Sequence, residues 1–205
     1  MKNKTKLIGI VGGSCSGKTV FADHLNSRTH GRSMVLSQDN YYRGLGGLES
    51  ADTYNFDHPD ALDLPRLQRH LASLRDGNSI LMPVYDFTSH KRQAQGIEVV
   101  PPEIVIVEGL FLFSYFSIRN LFDLKIFFDV PREIRLNRRL ERDVITRGRS
   151  RDEVVQRFNE HCEPAYREFI SPSSIYADLK ITPAAGFGPL YDKQVSNVID
   201  RVLEK

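Results

Sequence analysis

Cysteine and long apolar runs are scarce in this sequence. Its two cysteines are Cys15 and Cys162, which are too few for a disulfide framework and favour a reducing compartment. No apolar run reaches the about 20 residues that a membrane-spanning helix needs. The basic start, Met1–Lys6, leads directly into a strand pattern, and it carries no recognisable targeting signal. We therefore expect a cytoplasmic location and no membrane partner.

Internal repeats and low-complexity segments are also absent from the sequence. A chain of 205 residues, of which 40% are hydrophobic, can bury one sizeable core but has little length for a second. We predict a single domain spanning residues 1–205. The formal charge of +2 hides a local excess of Lys and Arg between Arg132 and Arg157, which suits a bound polyanion.

Apolar runs bounded by turn residues predict strands that alternate with helical stretches. The predicted strands are Leu7–Val11, Met34–Leu36, Ile104–Val107, Leu124–Val130 and Leu179–Ile181. The predicted helices are Gly17–Asn26, Leu62–Arg75, Arg132–Arg147, Asp152–Phe169 and Leu190–Leu203. Strands made only of Ile, Val, Leu or Phe are typical of a parallel sheet that is buried on both faces. The predicted fold class is therefore α/β, with a parallel sheet flanked by helices.

The stretch Ser79–Val100 breaks this alternation. Within it, Ile80–Met82 and Ile97–Val100 look like short strands around a polar turn that contains His90. We predict a small β-ribbon inserted into the α/β core at about residues 79–100.

The clearest motif directly follows the first predicted strand and precedes a helical stretch. It matches G-x-x-x-x-G-K-[ST] with Gly12, Gly13, Ser14, Cys15, Ser16, Gly17, Lys18 and Thr19. The glycines let backbone N–H groups turn toward bound phosphates, and the helix N-terminus adds partial positive charge. Lys18 is expected to reach the β- and γ-phosphates, and Thr19 to bind Mg²⁺. The sequence thus predicts a P-loop NTPase fold that binds ATP with Mg²⁺.

Cys15 occupies a variable position of this loop, where any small residue would fit. A thiol at a helix N-terminus is nevertheless expected to be reactive. We therefore predict that alkylation of Cys15 inactivates the protein and that ATP protects it. Equal rates of inactivation with and without saturating ATP would contradict this prediction.

Two acidic residues follow predicted strands at the carboxyl edge of the sheet, where ligands of open α/β folds bind. Asp39, after the second strand, could accept the proton of an attacking hydroxyl and orient its oxygen toward the γ-phosphorus. Taken alone, Asp39 could equally cap the next helix or turn. Glu108, after the third strand, has the position of an acid that orders a Mg²⁺-bound water.

Seven arginines lie between Arg132 and Arg149. Charge runs are usually solvated surface, and some bind nucleic acid. No aromatic residues interleave these arginines, however, and Thr146–Ser150 is typical of a mobile hinge. We predict an Arg-rich lid at about residues 139–152 that excludes water and neutralises the charge of a transferring phosphoryl group. We expect no nucleic-acid partner.

Several further segments occur in a fixed order along the chain. They are Ser37–Asp39, Tyr54–Asp63, Pro83–Arg92, Val107–Gly109 and Arg147–Arg149. Together with the P-loop, this series resembles the uridine kinase family, also called uridine-cytidine kinases, from about Ile8 to Ile181. The resemblance implies ATP- and Mg²⁺-dependent phosphorylation of the 5′-hydroxyl of uridine or cytidine in pyrimidine salvage. It also implies a homotetramer that pyrimidine triphosphates inhibit.

The resemblance assigns roles on the nucleoside side. Asp39 would be the general base toward the ribose 5′-hydroxyl, and Asp57 would accept hydrogen bonds from the ribose 2′- and 3′-hydroxyls. Phe56 would flank the pyrimidine ring, while Tyr85 and His90 would hydrogen-bond its O4 or N4 edge. Each of these residues, taken singly, could instead be solvated, face the core or begin a helix.

The resemblance also assigns roles to the lid. Arg142 and Arg147 would face phosphates, whereas Arg139 and Arg149 would reach the nucleoside. Arg157 stands where the family commonly has a Gln for the ribose. This departure keeps open another ribosyl acceptor, such as nicotinamide riboside or a phosphorylated pentose. The alternative of another class is a nucleotide-dependent regulatory or switch protein, whose slow hydrolysis would not respond to a nucleoside.

Overall fold

The computed structural model describes residues 4–45, 54–182 and 189–203. Its strands are β1 (Lys6–Gly12), β2 (Ser33–Ser37), β3 (Ile80–Met82), β4 (Tyr85–Asp86), β5 (Lys91–Arg92), β6 (Ile97–Val99), β7 (Ile104–Gly109), β8 (Leu124–Phe128) and β9 (Leu179–Ile181). Its α-helices are α1 (Lys18–Ser27), α2 (Leu64–Arg75), α3 (Phe116–Arg119), α4 (Arg132–Arg147), α5 (Arg151–Arg157), α6 (Glu163–Ala165) and α7 (Pro189–Leu203).

The central sheet has five parallel strands in the order β2-β7-β1-β8-β9. Every residue of β7 is buried, as a strand covered on both faces requires. The predicted α/β fold class with a parallel sheet is therefore confirmed. The strand predicted at Leu124–Val130 ends earlier, at Phe128.

Helices cover both faces of this sheet. Successive residues of β1 point to opposite faces, and they fall into two separate core clusters. Leu7 and Val11 pack with the α2 leucines, whereas Ile8 and Ile10 pack with side chains of α1 and α7. The core is thus one sheet between two apolar layers.

Local signals explain where two of the helices begin and end. α2 begins two residues later than predicted because the carboxylate of Asp63 accepts a hydrogen bond from the backbone N–H of Arg66, with Pro65 in the first turn. α4 ends at Arg147, and the following Gly148 has a φ of 63° in the left-handed region.

The helix predicted at Asp152–Phe169 is not regular. After α5 the chain forms a π-helical turn at Phe158–Cys162, then α6, then a second π-helical turn at Tyr166–Ile170. π-Turns insert an extra residue per turn and change which side chains share a face, often at functional sites. Residue spacing predicted the helical stretch but not these turns.

The predicted ribbon consists of two short antiparallel pairs, β3 with β6 and β4 with β5. Ile80, Tyr85 and Val99 are buried and belong to the larger core cluster, so the insertion packs against the main domain. Among the described residues, no helix combines the length and apolar character needed to cross a bilayer.

Candidate active site

The carboxyl ends of three adjacent strands meet at one edge of the sheet. β1 leads into the phosphate-binding loop, β2 ends before Asp39, and β7 carries Glu108 close to its end. In the strand register, Glu108 lies between Ile10 of β1 and Ser37 of β2. The topology therefore places both predicted acids beside the loop.

The loop requires small residues at its start. A Cβ on Gly12 would lie 2.7 Å from Phe128 Cβ, and one on Gly13 would lie 2.9 Å from Arg135 Cδ. Gly17 has a φ of 96° and Cys15 a φ of 60°, both left-handed. These conformations open the turn ahead of α1, as a loop that wraps phosphates requires.

Glu108 is buried beneath the loop and contacts three polar side chains. Its Oε2 accepts a hydrogen bond from the Thr19 hydroxyl at 3.2 Å and lies 3.9 Å from Lys18 Nζ. Its Oε1 accepts a hydrogen bond from Ser37 Oγ. Mg²⁺ prefers oxygen ligands, and hydroxyl and carboxylate oxygens are the groups that this corner offers. The residues therefore fit the predicted ion.

Asp39 lies in a 3₁₀ turn that follows β2, and it lines the same cavity as Lys18. The Oγ of Ser37, not the Asp39 carboxylate, accepts the backbone N–H that caps this turn, at 3.3 Å. Burial and then the Glu108 carboxylate raise the pKa of Asp39 to about 6, against the opposing charge of Lys18. Asp39 therefore does not cap this turn, and it lines the cavity instead.

One cavity of about 1190 Å³ joins the phosphate loop to the predicted nucleoside residues. The predicted site residues that line it are Ser14, Cys15, Gly17, Lys18, Thr19, Asp39, Phe56, Asp57, Tyr85, His90, Arg139, Arg142, Arg147, Arg149 and Arg157. The other four, Gly12, Gly13, Ser16 and Glu108, lie outside its lining.

Aromatic side chains and Asp57 also line this cavity. The rings of Phe56 and His90 stack, with centroids 5.1 Å apart and planes 28° apart. The Tyr85 hydroxyl is buried and has no hydrogen-bond partner among the described residues, so it retains a donor and an acceptor for a ligand. Flat apolar faces next to unused polar groups suit a heteroaromatic base.

Several arginines of the predicted lid line this cavity. Arg139 is buried, and the fully buried Asp143 lies 3.3 Å from its Nε, 2.8 Å from Arg142 Nε and 3.5 Å from Arg147 Nη1. Arg149 and Arg157 both pair with Glu153, at 3.7 and 3.5 Å. The solvated-surface alternative therefore does not describe Arg139, whereas Arg142 and Arg147 keep about two fifths of their side chains exposed.

Three residues of the site were missed from the sequence. Asp143 could have been found because it is four residues from both Arg139 and Arg147 on a helix. Arg138 donates a hydrogen bond to the Ser16 carbonyl at 3.2 Å. Nothing in the sequence distinguishes it from the other arginines between Arg132 and Arg149. Cys162 hydrogen-bonds Asp57 across 105 positions and carried no local signal.

Comparisons with known proteins agree with this geometry. The model of the phosphoribulokinase / uridine kinase family matches residues 7–185. The uridine kinase of Borrelia turicatae is 44% identical over 182 residues, which cover 88% of this chain and 87% of that protein. The uridine kinase of Lactobacillus helveticus is 40% identical over 206 residues, covering 98% and 97%.

A solved structure of phosphoribulokinase from Rhodobacter spheroides matches 88% of this chain and 70% of its own, with a TM-score of 0.63 and 19% identity. That likeness concerns the fold alone. The family match and the two relatives cover nearly the whole chain, including the P-loop, the ribbon and the lid. The chain belongs to the phosphoribulokinase / uridine kinase family.

Proposed function

We propose that this kinase transfers the γ-phosphoryl group of ATP to the 5′-hydroxyl of uridine or cytidine. The observation that carries the proposal is the shared cavity, which Asp39 lines together with the phosphate loop, the aromatic residues and Asp57. The names of the two relatives support the same acceptor.

The residues divide the work of direct in-line transfer. The loop N–H groups and Lys18 would hold the triphosphate, while Arg142 and Arg147 add positive charge. Asp57 would hold the ribose and Asp39 would accept the proton of the 5′-hydroxyl, so that the reacting oxygen is oriented without a covalent enzyme intermediate. Thr19 directly, and Glu108 through water, would hold Mg²⁺, which supplies further positive charge to the phosphates when bound.

An acceptor panel tests this assignment. Purified protein with ATP and Mg²⁺ is expected to turn over uridine and cytidine, with the phosphate located at the 5′ position by NMR. Selective turnover of nicotinamide riboside or a phosphopentose would show that the acceptor is that compound and not uridine or cytidine. The proposed phosphoryl transfer from ATP would still hold. Arg157 in the cavity motivates these two compounds. ATP hydrolysis that no acceptor accelerates would favour the switch-protein alternative.

Three finer expectations remain predictions. ATP rather than GTP as donor is tested by repeating the panel with both. The homotetramer implied by the resemblance is tested by sedimentation, and exposed apolar side chains at Leu81, Ile97 and Val100 offer surface for such contacts. The cytoplasmic location is tested by fractionation of cells.

A further inference from the structure

Cys162 is a buried cysteine that the proposed mechanism does not use. It ends the π-helical turn Phe158–Cys162 and is 4% exposed. Buried cysteines usually behave as small hydrophobic residues. The sulfur of Cys162, however, lies between two charged side chains, 3.0 Å from Asp57 Oδ2 and 2.6 Å from Arg139 Nη1. Such neighbours indicate a polar role.

Both hydrogen-bonding capacities of the thiol are in use. An Arg139 N–H donates to the sulfur, and the S–H donates to the Asp57 carboxylate. Burial and then the negative charge of Asp57 raise the pKa of the Cys162 thiol, with Arg139 opposing them. The group therefore keeps its proton and remains a donor.

The sulfur also separates Arg139 from Asp57. Arg139 Nη2 lies 3.9 Å from Asp57 Oδ2, which is too far for a direct hydrogen bond. A guanidinium in direct contact would occupy both carboxylate oxygens as a bidentate pair. Arg139 also contacts Ser14 Oγ at 3.1 Å and Asp143 Oδ2 at 3.3 Å, so the thiol is one of three groups that hold its guanidinium in this position.

We propose that Cys162 is a positioning residue for the nucleoside: its thiol orients the Asp57 carboxylate and holds Arg139 off it, so that acceptor oxygens of Asp57 stay available for the ribose hydroxyls. This inference rests on the proposed function, since it requires Asp57 to bind the ribose. Removal of the thiol lets Arg139 move onto Asp57 and compete with the sugar.

Discrimination between uridine and 2′-deoxyuridine measures this effect. Cys162→Val removes the donor and adds about one methyl group, and we expect the ratio of kcat/KM for the two acceptors to fall about ten-fold. Cys162→Ser keeps a donor and should retain most of the ratio. Ile170→Val removes one methyl from the far end of the same helical segment and is the matched packing control. It should leave the ratio unchanged.

A purely structural role for Cys162 predicts a different pattern. Cys162→Val would then lower kcat/KM equally for both acceptors, in parallel with a lower melting temperature, and the proposal would be wrong. Cys162→Ala is the second variant if the valine does not fold, and it carries the same expectation and the same contradicting result.

Asp57→Asn separates the two proposals. If Asp57→Asn keeps full discrimination, the assignment of Asp57 to the ribose fails and this inference fails with it. If Asp57→Asn loses discrimination while Cys162→Val retains it, the proposed function stands and only the role of Cys162 is refuted. When both are right, adding Cys162→Val to Asp57→Asn has no further effect on the ratio.

Discussion

Two aspartates of the site have opposite surroundings, and this difference separates their chemistry. Asp39 is desolvated and near another carboxylate, which raises its pKa. Asp143 is also buried, which would raise its pKa, but its hydrogen bond to Arg142 and the charges of Arg142, Arg147 and Arg139 lower the pKa below its usual value. Asp39 is thus suited to exchange a proton near neutral pH, whereas Asp143 stays charged and holds the arginines.

Asp39→Asn removes the proposed general base while preserving the shape of the side chain. We expect kcat to fall by about 10²- to 10⁴-fold, as for other general-base deletions, with little change in KM for ATP. Asp60→Asn is the matched control, because Asp60 is an exposed aspartate in another short turn. Unchanged turnover in Asp39→Asn would refute the role of this carboxylate.

The pH dependence follows from the pKa of Asp39, which is raised to about 6. A base with this pKa is protonated and inactive at lower pH, so kcat/KM for ATP should fall about ten-fold per pH unit below pH 6. That parameter reports the enzyme before nucleotide binds. The Glu108 charge contributes to the raised pKa of Asp39. Glu108→Gln should therefore move the acidic fall in kcat/KM to lower pH. If Glu108→Gln leaves the pH of this fall unchanged, the Glu108 charge does not raise the pKa of Asp39.

The elements of the site differ in how far the sequence could predict them. β1, β2 and β7 were found because continuous apolar runs leave few alternatives for buried parallel strands. The ends of these strands in turn predict where the phosphate loop and Asp39 lie. The contact of Cys162 with Asp57 could not be predicted, because it depends on a π-turn and on two segments far apart in the chain.

α4 is tied to α6 through one buried cation. Arg135 is 1% exposed and donates hydrogen bonds to Glu163 Oε2 and to the Val130 carbonyl, both at 3.0 Å. Its guanidinium also lies 3.9 Å from the centre of the Tyr166 ring. The pair therefore holds α4 against α6.

Glu163→Ala leaves the Arg135 charge buried and unpaired, and we expect it to lower the free energy of unfolding by about 3 to 5 kcal/mol. Chemical denaturation measures this change. Glu168→Ala, an exposed glutamate of the same helical segment, is the control and should change it by less than about 0.5 kcal/mol. The double variant Arg135→Met/Glu163→Leu removes both charges and should recover most of the loss. A loss equal to that of the control would mean that the pair contributes nothing.

At the scale of the whole molecule, the two core clusters pack the sheet against the helices and the ribbon. The two apolar layers share β1, and the ribbon contributes Ile80, Tyr85 and Val99 to the same cluster as Leu71 and Val107. The cavity in turn is lined by the loop, the ribbon and the lid. Ligand binding and folding are therefore expected to involve the whole chain together.

This arrangement predicts a single cooperative unfolding transition for residues 1–205, observed by calorimetry as equal calorimetric and van't Hoff enthalpies. Because the nucleotide binds only the folded chain, ATP with Mg²⁺ at 100 times its Kd should add about 2.7 kcal/mol. That corresponds to a rise in Tm of about 5 to 10 °C for a chain of this length. The rise should apply to the whole transition, since loop, ribbon and lid unfold together. A separate early transition that the nucleotide does not shift would show that the ribbon or the lid folds as an independent unit.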